Sequence, residues 1–495
     1  MSAKPIRRSA LLALALLMAA AVPVRATTPP TFTVVDSIRP GGDSSYAMDN
    51  SRSVALGSYL YFEANDGTIG GELWRTNGTT TELVEDINPG VDGSNPDYFA
   101  VLGDYLYFRA NDGTNGEELW RTNGSTTELV EDINPGPNDS SPYGFTALGG
   151  YLYFEANNGT NGSELWRTNG TSTTLVKDIQ SGAAGSEPND FTALGGYLYF
   201  EANDGNVGTE LWRTDGTASG TTLVEDINFD VDSSYPTYLT ALGGYLYFEA
   251  DNGSTGDELW RTNGTSTELV MDINSGVDSS YPQGFTALGG YLYFEADNGS
   301  TGDELWRTNG TTTELVMDIY SGSNNGNPYS LTRLGDYLYF EARDGVNGYE
   351  LWRTNGTTTE LVEDILPGSS GSGPEFLTPL GDYLYFVGYD GTAGLVYRSN
   401  GTVTELVPFP AAGQNINCDY YRTNLVAVGG RLFTSMESID TGHEFAYLDE
   451  PTYVLPETNR AAGTSSAWTV ALSTFALITL ALGAGLRRRS GAAQR

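Results

Sequence analysis

The sequence predicts an all-β protein, a β-propeller of eight or nine four-stranded blades of about 46 residues each. Three observations predict it. A tryptophan-centred phrase, ELWRTNG, first met at residues 72–78, returns six more times with one Asn→Asp change. Each unit between phrases divides into four short runs rich in aromatic and β-branched residues, with no segment of helical period. The two ends of the array carry complementary fragments of one more unit.

The period comes from Trp74, Trp120, Trp166, Trp212, Trp260, Trp306 and Trp352, spaced by 46 residues with a single step of 48. Residues Ala241–Thr265 and Ala287–Thr311 are identical, the mark of internal duplication. In the unit Phe145–Ile179 the four strands are FTAL, YLYFEA, ELWRT and TTLVKDI. Gly149-Gly150 and the NNGTNG stretch turn the chain between the first three. Asn169-Gly170 signals a hairpin with positive φ at both central residues. Because YLYF is apolar on both sides of the pleat, each small sheet needs cover on both faces, and packing blade on blade supplies it. The tryptophans and the leucines beside them are therefore expected in the layers between blades, with Arg75 and its equivalents pairing with Glu63 or Glu72 and their equivalents. A linear β-repeat array and two smaller propellers fit the same period.

Seven units are clear, and an eighth has Tyr397 in place of tryptophan. Residues Leu425–Leu448 read as three strands of a ninth, with no fourth strand after them. At the other end, TFTVVDSIRPGGDSS matches the fourth strand and following loop of an internal unit. Residues 32–38 are thus expected to supply the missing strand and close the ring. Cys418 is the only cysteine, so no intrachain disulfide can do so.

The ends of the chain predict export and tethering. Residues 1–26 have Lys4, Arg7 and Arg8 before an apolar run and small residues, the pattern of a signal peptide. The propeller is expected over 27–448 and a linker over 449–467. Residues 468–486 form a charge-free apolar stretch, about 28 Å long as a helix and close to a bilayer's hydrocarbon thickness. Residues 487–495 begin with three arginines, which places this tail on the cytoplasmic side. The formal net charge is −38; the two ends hold eight of the 25 basic residues and no acidic ones. The body is therefore left with 17 basic against 63 acidic side chains, or −46. Such a surface repels nucleic acid and anionic lipid.

Two resemblances follow from these residues. Leu455, Pro456, Glu457, Thr458 and Asn459, ahead of the apolar span and arginines, resemble the LPxTG signal of sortase-anchored surface proteins. That resemblance implies cleavage after Thr458 and covalent attachment; Asn459 departs from the Gly of the pattern. A plain membrane anchor is the other reading of the same tail. Residues 32 to about 407 resemble the bacterial ELWxxDGT repeat proteins, in which tandem copies of that phrase build secreted or surface proteins. Only the fourth copy, with Asp215, carries the full phrase. This resemblance implies a propeller-like surface protein and no defined activity.

Candidates for chemistry are few. A catalytic constellation is needed once and a packing residue in every blade, so the repeated phrase reads as scaffold. The single histidine, His443, stands in a degenerate turn, and no nucleophile elbow accompanies it. A sialidase-like hydrolase would need a tyrosine, a carboxylate and clustered arginines; Arg109, Arg333, Arg343 and Arg422, with Tyr420 and Tyr421, are the single-copy residues available. A Ca²⁺ site is the one cofactor suggested. Asp226, Asn228, Asp230 and Asp232 place oxygen ligands at alternating positions of one loop, and Asp86/Asn88/Asp92 and Asp272/Asn274/Asp278 are weaker versions. The expected function is a non-enzymatic binding or adhesion module for protein or carbohydrate, a monomer held to the membrane or envelope by its C-terminus. A sialidase-like glycoside hydrolase on the propeller and a passive surface component are the alternatives. Its binding surface is expected at the loop ends, with Tyr98, Tyr143, Tyr235, Tyr281 and Tyr329, and in the degenerate stretch 411–447.

Overall fold

The computed structural model describes residues 29–35, 38–39, 53–229, 231–409, 416–417, 424–438 and 442–449. All lie in one of the two units of the chain, residues 1–450. The signal segment, the LPETN motif, the apolar span 468–486 and the basic tail fall outside them.

The architecture is a nine-bladed β-propeller, which decides between the eight and nine blades left open by the sequence. Blade 3 shows the plan. Strands Tyr143–Leu148, Tyr151–Asn157, Ser163–Thr168 and Thr173–Lys177 pair in sequence order as an antiparallel meander. The same order recurs in blades 1 to 8, and the described residues contain no helix. First strands of neighbouring blades touch, so they form the inner ring and the fourth strands lie outermost.

The turns follow the local chemistry with one exception. Gly149 and Gly150 carry φ of +61° and +82° and join the first two strands with no intervening residue, as a tight hairpin demands. Asn169-Gly170 differs from the expected turn. Here only Gly170 has positive φ, at +84°, in a four-residue loop closed by the Asn169 N–H donating to the Ser172 carbonyl at 3.3 Å. The Asn169 side chain determines this, because its Oδ1 accepts from the N–H groups of Thr171 and Ser172 and stabilises a local Asx turn.

The core is a set of layers between blades. Alternate residues of YLYFEA point to opposite neighbours. From blade 2, Tyr107, Leu119 and Ile133 pack on Leu152, Phe154 and Ala156 of blade 3, with Trp166 at the edge. From blade 3, Tyr153, Leu165 and Ile179 pack on Leu198, Phe200, Ala202 and Trp212 of blade 4. Each buried leucine or phenylalanine contributes about 2 to 3 kcal/mol of apolar burial, so every interface repeats one set of contacts.

The ring closes as the complementary ends require. Thr33 and Val34 pair antiparallel with Tyr447 and Ala446 and form the fourth strand of blade 9. Its other strands are Leu425–Val428, Arg431–Ser438 and Gly442–Asp449, and Ile416–Asn417 adds to the far end of the second. Phe32 enters the layer between blades 8 and 9, stacked on Phe409 with ring centroids 4.4 Å apart. Val35 enters the layer between blades 9 and 1. The added strand therefore contributes to the packing on both sides of its blade.

Replacing the buried Phe32 removes a ring from the closing layer. Phe32→Ala is expected to cost about 3 to 5 kcal/mol, whereas Phe229→Ala, at a side chain 75% exposed, should cost almost nothing. Thermal melts of the two variants check this; equal melting temperatures would show that the strand does not hold the ring.

Candidate functional site

The glutamate of each ELW phrase is fully buried: Glu72, Glu118, Glu164, Glu210, Glu258, Glu304 and Glu350. Its carboxylate holds the loop leading to the next blade. On Glu72, Oε2 accepts from the Ile87 N–H at 3.0 Å and the Ser94 hydroxyl at 2.6 Å, and Oε1 from the Ser94 N–H at 2.8 Å. In blade 6 glycine replaces that serine, and the Gly326 N–H donates to Glu304 at 2.9 Å. Burial pushes the Glu118, Glu210 and Glu304 carboxyls up to about 7 against the pull of their donors. These carboxylates are enclosed by structure and unavailable to a ligand.

The repeated arginine acts differently from expectation. Arg75 pairs with Glu82 on the adjacent fourth strand at 2.6 Å and lies over the Tyr59 ring at 4.5 Å, not with Glu63 or Glu72. Glu72 is enclosed by backbone donors, while Glu82 stands directly opposite Arg75 in register. The guanidinium also meets the next blade. A Cβ on Gly124 would lie 2.2 Å from Arg75 Nη1 and 2.4 Å from the Tyr61 hydroxyl, so the Asn-Gly turn needs glycine for its φ of +83° and for this approach. Arg307 makes the contact explicit by donating to the Gly356 carbonyl at 2.7 Å. At the closure, Arg431 and Tyr447 of blade 9 meet Gly78 of blade 1 in the same way.

The other predicted residues are distributed as follows. Trp212, Trp306 and Trp352 are buried, and Trp74, Trp120, Trp166 and Trp260 half-buried, each on the face toward the preceding blade. In the Ca²⁺ candidate, the Asn228 amide donates to the Ser233 carbonyl at 3.1 Å and its Oδ1 abuts Gly253 of the next blade. Asn88, Asn134 and Asn274 make the same packing contact, which explains the repeated DIN. Asp230 lies outside the described residues, among which no group of three Asp, Glu, His or Cys side chains converges. Arg109 is on blade 2, ion-paired with Asp97 at 2.7 Å and Glu117 at 3.2 Å. Arg333 and Arg343 are on blade 7, each donating to a carbonyl, of Gly335 and Asn325 respectively. The structure does not gather them into one site. Tyr420, Tyr421, Arg422 and the His443 side chain lie outside the described part.

A concave site forms where the repeat breaks. In blades 2 to 8 the second residue of the first strand has positive φ, with non-glycine examples at Tyr98, Asp190, Tyr238, Ser330 and Phe376 between +51° and +58°. The register shifts there, so a bulge lifts this residue at the loop end of each inner strand. Blade 8 then departs from its neighbours. Val387 and Gly388 replace Glu-Ala, Leu395 stands where the buried glutamate would be, and Tyr397 replaces tryptophan. Around these changes lies a cleft of about 1380 Å³ lined by Tyr329, Glu341, Tyr349, Glu375, Phe376 and Tyr389, with Asn424 of blade 9 at its edge. Burial, helped by the Glu375 and Glu350 charges, pushes the Glu341 carboxyl up to about 7. Of the tyrosines expected at loop ends, Tyr329 lines this cleft. Tyr98, Tyr235 and Tyr281 are exposed on other blades, and Tyr143 is half-buried against Glu155.

The glutamates of the second strands, with Glu249 and Glu295 buried and Glu201 and Glu341 half-buried, set a pH dependence. Burial pushes Glu201, Glu249 and Glu341 up to about 7 and Glu295, beside Asp303, up to about 8. The folded state thus binds more protons than the unfolded chain between about pH 4.5 and 8, so stability falls as pH rises through that window. The melting temperature is expected to be higher at pH 5 than at pH 8, and Glu295→Gln to raise it at pH 8 but not at pH 5. A melting temperature that climbs from pH 5 to pH 8 would contradict this. Glu210→Ala, which strips the Ile227 and Ser234 donors of their acceptor, should destabilise by about 3 to 5 kcal/mol at either pH.

Neither the family models nor the curated proteins compared with this chain give a match. Among solved structures the chain is similar to a puromycin-hydrolyzing peptidase of Mycobacterium tuberculosis, at 13% identity and TM-score 0.37, over 69% of this chain and 58% of that one. A puromycin hydrolase is similar at 14% identity and the same score and coverage. One from a study of two prolyl endopeptidases gives 12% identity and TM-score 0.38, over 71% of this chain and 55% of that one. The chain thus spans little more than half the length of these proteins, and its nine-bladed ring stands on its own strand pairing.

Proposed function

We propose that this chain is a non-enzymatic, surface-displayed binding module whose ligand site is the cleft at blades 7 to 9. One observation carries the reading: the repeated polar residues serve the scaffold, whereas residues that depart from the repeat come together at blade 8 around a concave space. Ligand sites are concave, with a few polar groups set among apolar walls, and this cleft combines carboxylates with tyrosine and phenylalanine rings. Tyr389, 45% exposed, provides a face on which a peptide or sugar can stack. The signal-like N-terminus, the ELWxxDGT-like repeat and the sorting-type tail support display on the outer side of a membrane or envelope. The ligand on this reading is an exposed part of a protein or a carbohydrate, bound as the chain projects from its anchor.

Screening the intact protein against arrays of glycans and of extracellular peptides tests the proposal. Binding to at least one class is expected, with hydrogen-exchange protection at residues 329–349 and 375–394 and loss of binding of about tenfold in Tyr389→Ala, the scale of a central aromatic contact. Protection confined to blades 1 to 6, or no binder in either array, would refute it.

A further inference from the structure

On the reading of the cleft as the binding site, the wall that blade 7 presents to it carries the ligand's chemistry. In blades 4 to 7 the second strand has a glutamate directly opposite the first residue of the first strand. The pairs are Glu201 with Asn189, Glu249 with Thr237, Glu295 with Gln283 and Glu341 with Tyr329. In blades 4, 5 and 6 the opposite residue donates to the glutamate: Asn189 Nδ2 at 3.3 Å, Thr237 Oγ1 at 3.1 Å and Gln283 Nε2 at 3.1 Å. Each of those carboxylates is thus served from within its own blade.

Blade 7 differs. At the position of these donors Tyr329 presents a ring, 42% exposed, and burial and then the charge of Glu295 in blade 6, more than that of Glu341, act on its phenol. Among the described residues Glu341 accepts no hydrogen bond. A half-buried carboxylate without donors is costly, and this one lines the cleft together with Tyr329. Opposite residues of an antiparallel pair have Cβ atoms about 5 Å apart, so ring and carboxylate are adjoining parts of one surface. Tyr349, on the same wall, is held in place: its hydroxyl accepts from Asn327 Nδ2 at 2.6 Å, and the Arg343 guanidinium lies 5.1 Å from its ring centroid. Ser330, Thr332 and Thr392 add hydroxyls, and the described lining residues include no basic side chain.

We infer that the cleft binds an uncharged carbohydrate, which lays a sugar ring on Tyr329 and donates neighbouring hydroxyls to the Glu341 carboxylate. The sugar then supplies the donors that blades 4 to 6 supply from within. A carboxylate has two oxygens with room for several donors. Hydroxyls on adjacent carbons reach both oxygens at once, whereas a peptide link presents a single N–H. The C–H face of the same sugar covers the apolar body of a tyrosine, which leaves the phenol at the edge for polar contact. Acidic sugars are disfavoured, because the described lining residues offer the carboxyl groups of Glu341 and Glu375 and no cation. The space of about 1380 Å³ admits more than one sugar unit, with Tyr349 and Tyr389 as further ring faces.

Screening the intact protein on an array of neutral oligosaccharides beside their sialylated and uronate-bearing counterparts, then titrating the strongest neutral ligand by calorimetry, tests this. The neutral ligand is expected to bind at least about tenfold more tightly than its acidic counterpart. Its affinity should change less than about twofold between about 20 mM and about 500 mM NaCl, because no ion pair forms. Glu341→Gln should weaken it about tenfold, the scale of a charge-assisted hydrogen bond, while leaving the melting temperature at pH 8 unchanged or raised. Tyr329→Ala should weaken it about tenfold through loss of the ring face. Glu249→Gln, the matching change in blade 5 and away from the cleft, should leave the affinity unchanged. Failure of every neutral glycan to bind, tighter binding of the acidic ones, or undiminished affinity in either cleft variant would overturn the assignment. If peptides alone bind, with hydrogen-exchange protection at residues 329–349 and 375–394, the carbohydrate assignment fails while the cleft remains a binding site.

Discussion

The buried glutamate of the ELW phrase is the interaction on which the rest of the structure depends. A carboxylate removed from water is costly unless its lone pairs are filled, and here they are filled by backbone donors of the loop that leads to the next blade. That single contact fixes where each blade ends and where the next begins. It thereby sets the start of the following first strand and its bulge. In blade 8 Leu395 takes the position, and it has no oxygen with which to hold the next loop. The cleft lies beside this change.

Closure by the N-terminal strand solves a second physical problem. Nine identical wedges would leave one interface open at the chain ends, exposing an apolar layer on each side. Thr33–Val34 completes blade 9, and Phe32 and Val35 enter the layers on its two sides. In a chain with one cysteine, this pairing does what a cross-link would do elsewhere, since separating the ends exposes two hydrophobic layers at once.

Charge is distributed with the same economy. The repeated arginines lie on tyrosine rings and pair within their own blades, most of them with glutamates of the fourth strand. In blades 3 and 4 that glutamate is threonine, yet Arg213 still donates to the Gly264 carbonyl of the next blade at 2.7 Å. Contact between blades is thus the constant role of this arginine, and the ion pair an addition worth little at the surface.

The sequence by itself determined the all-β class, the period, the two-faced apolar strands and the complementary ends. These depend on local rules: a pleat alternates, glycine pairs turn, and an unpaired strand seeks a sheet. It also carried the sign that ELWRTNG is scaffold, because chemistry needed once is not written seven times. Pairings across strands were harder to read. Arg75 had acidic residues on both sides in sequence, and only register put Glu82 opposite it while burying Glu72. The cleft was less legible still. Glu341 is an ordinary repeat residue whose significance comes from the cleft it lines with Val387 and Gly388, which lie about 50 residues away in sequence. Only the tertiary structure decided that nine blades close the ring and that Glu341 shares a cleft with the altered second strand of blade 8. Blade number depends on the angle at which packed layers meet, and a site is made by what the adjacent blade lacks, which no single unit of the repeat encodes.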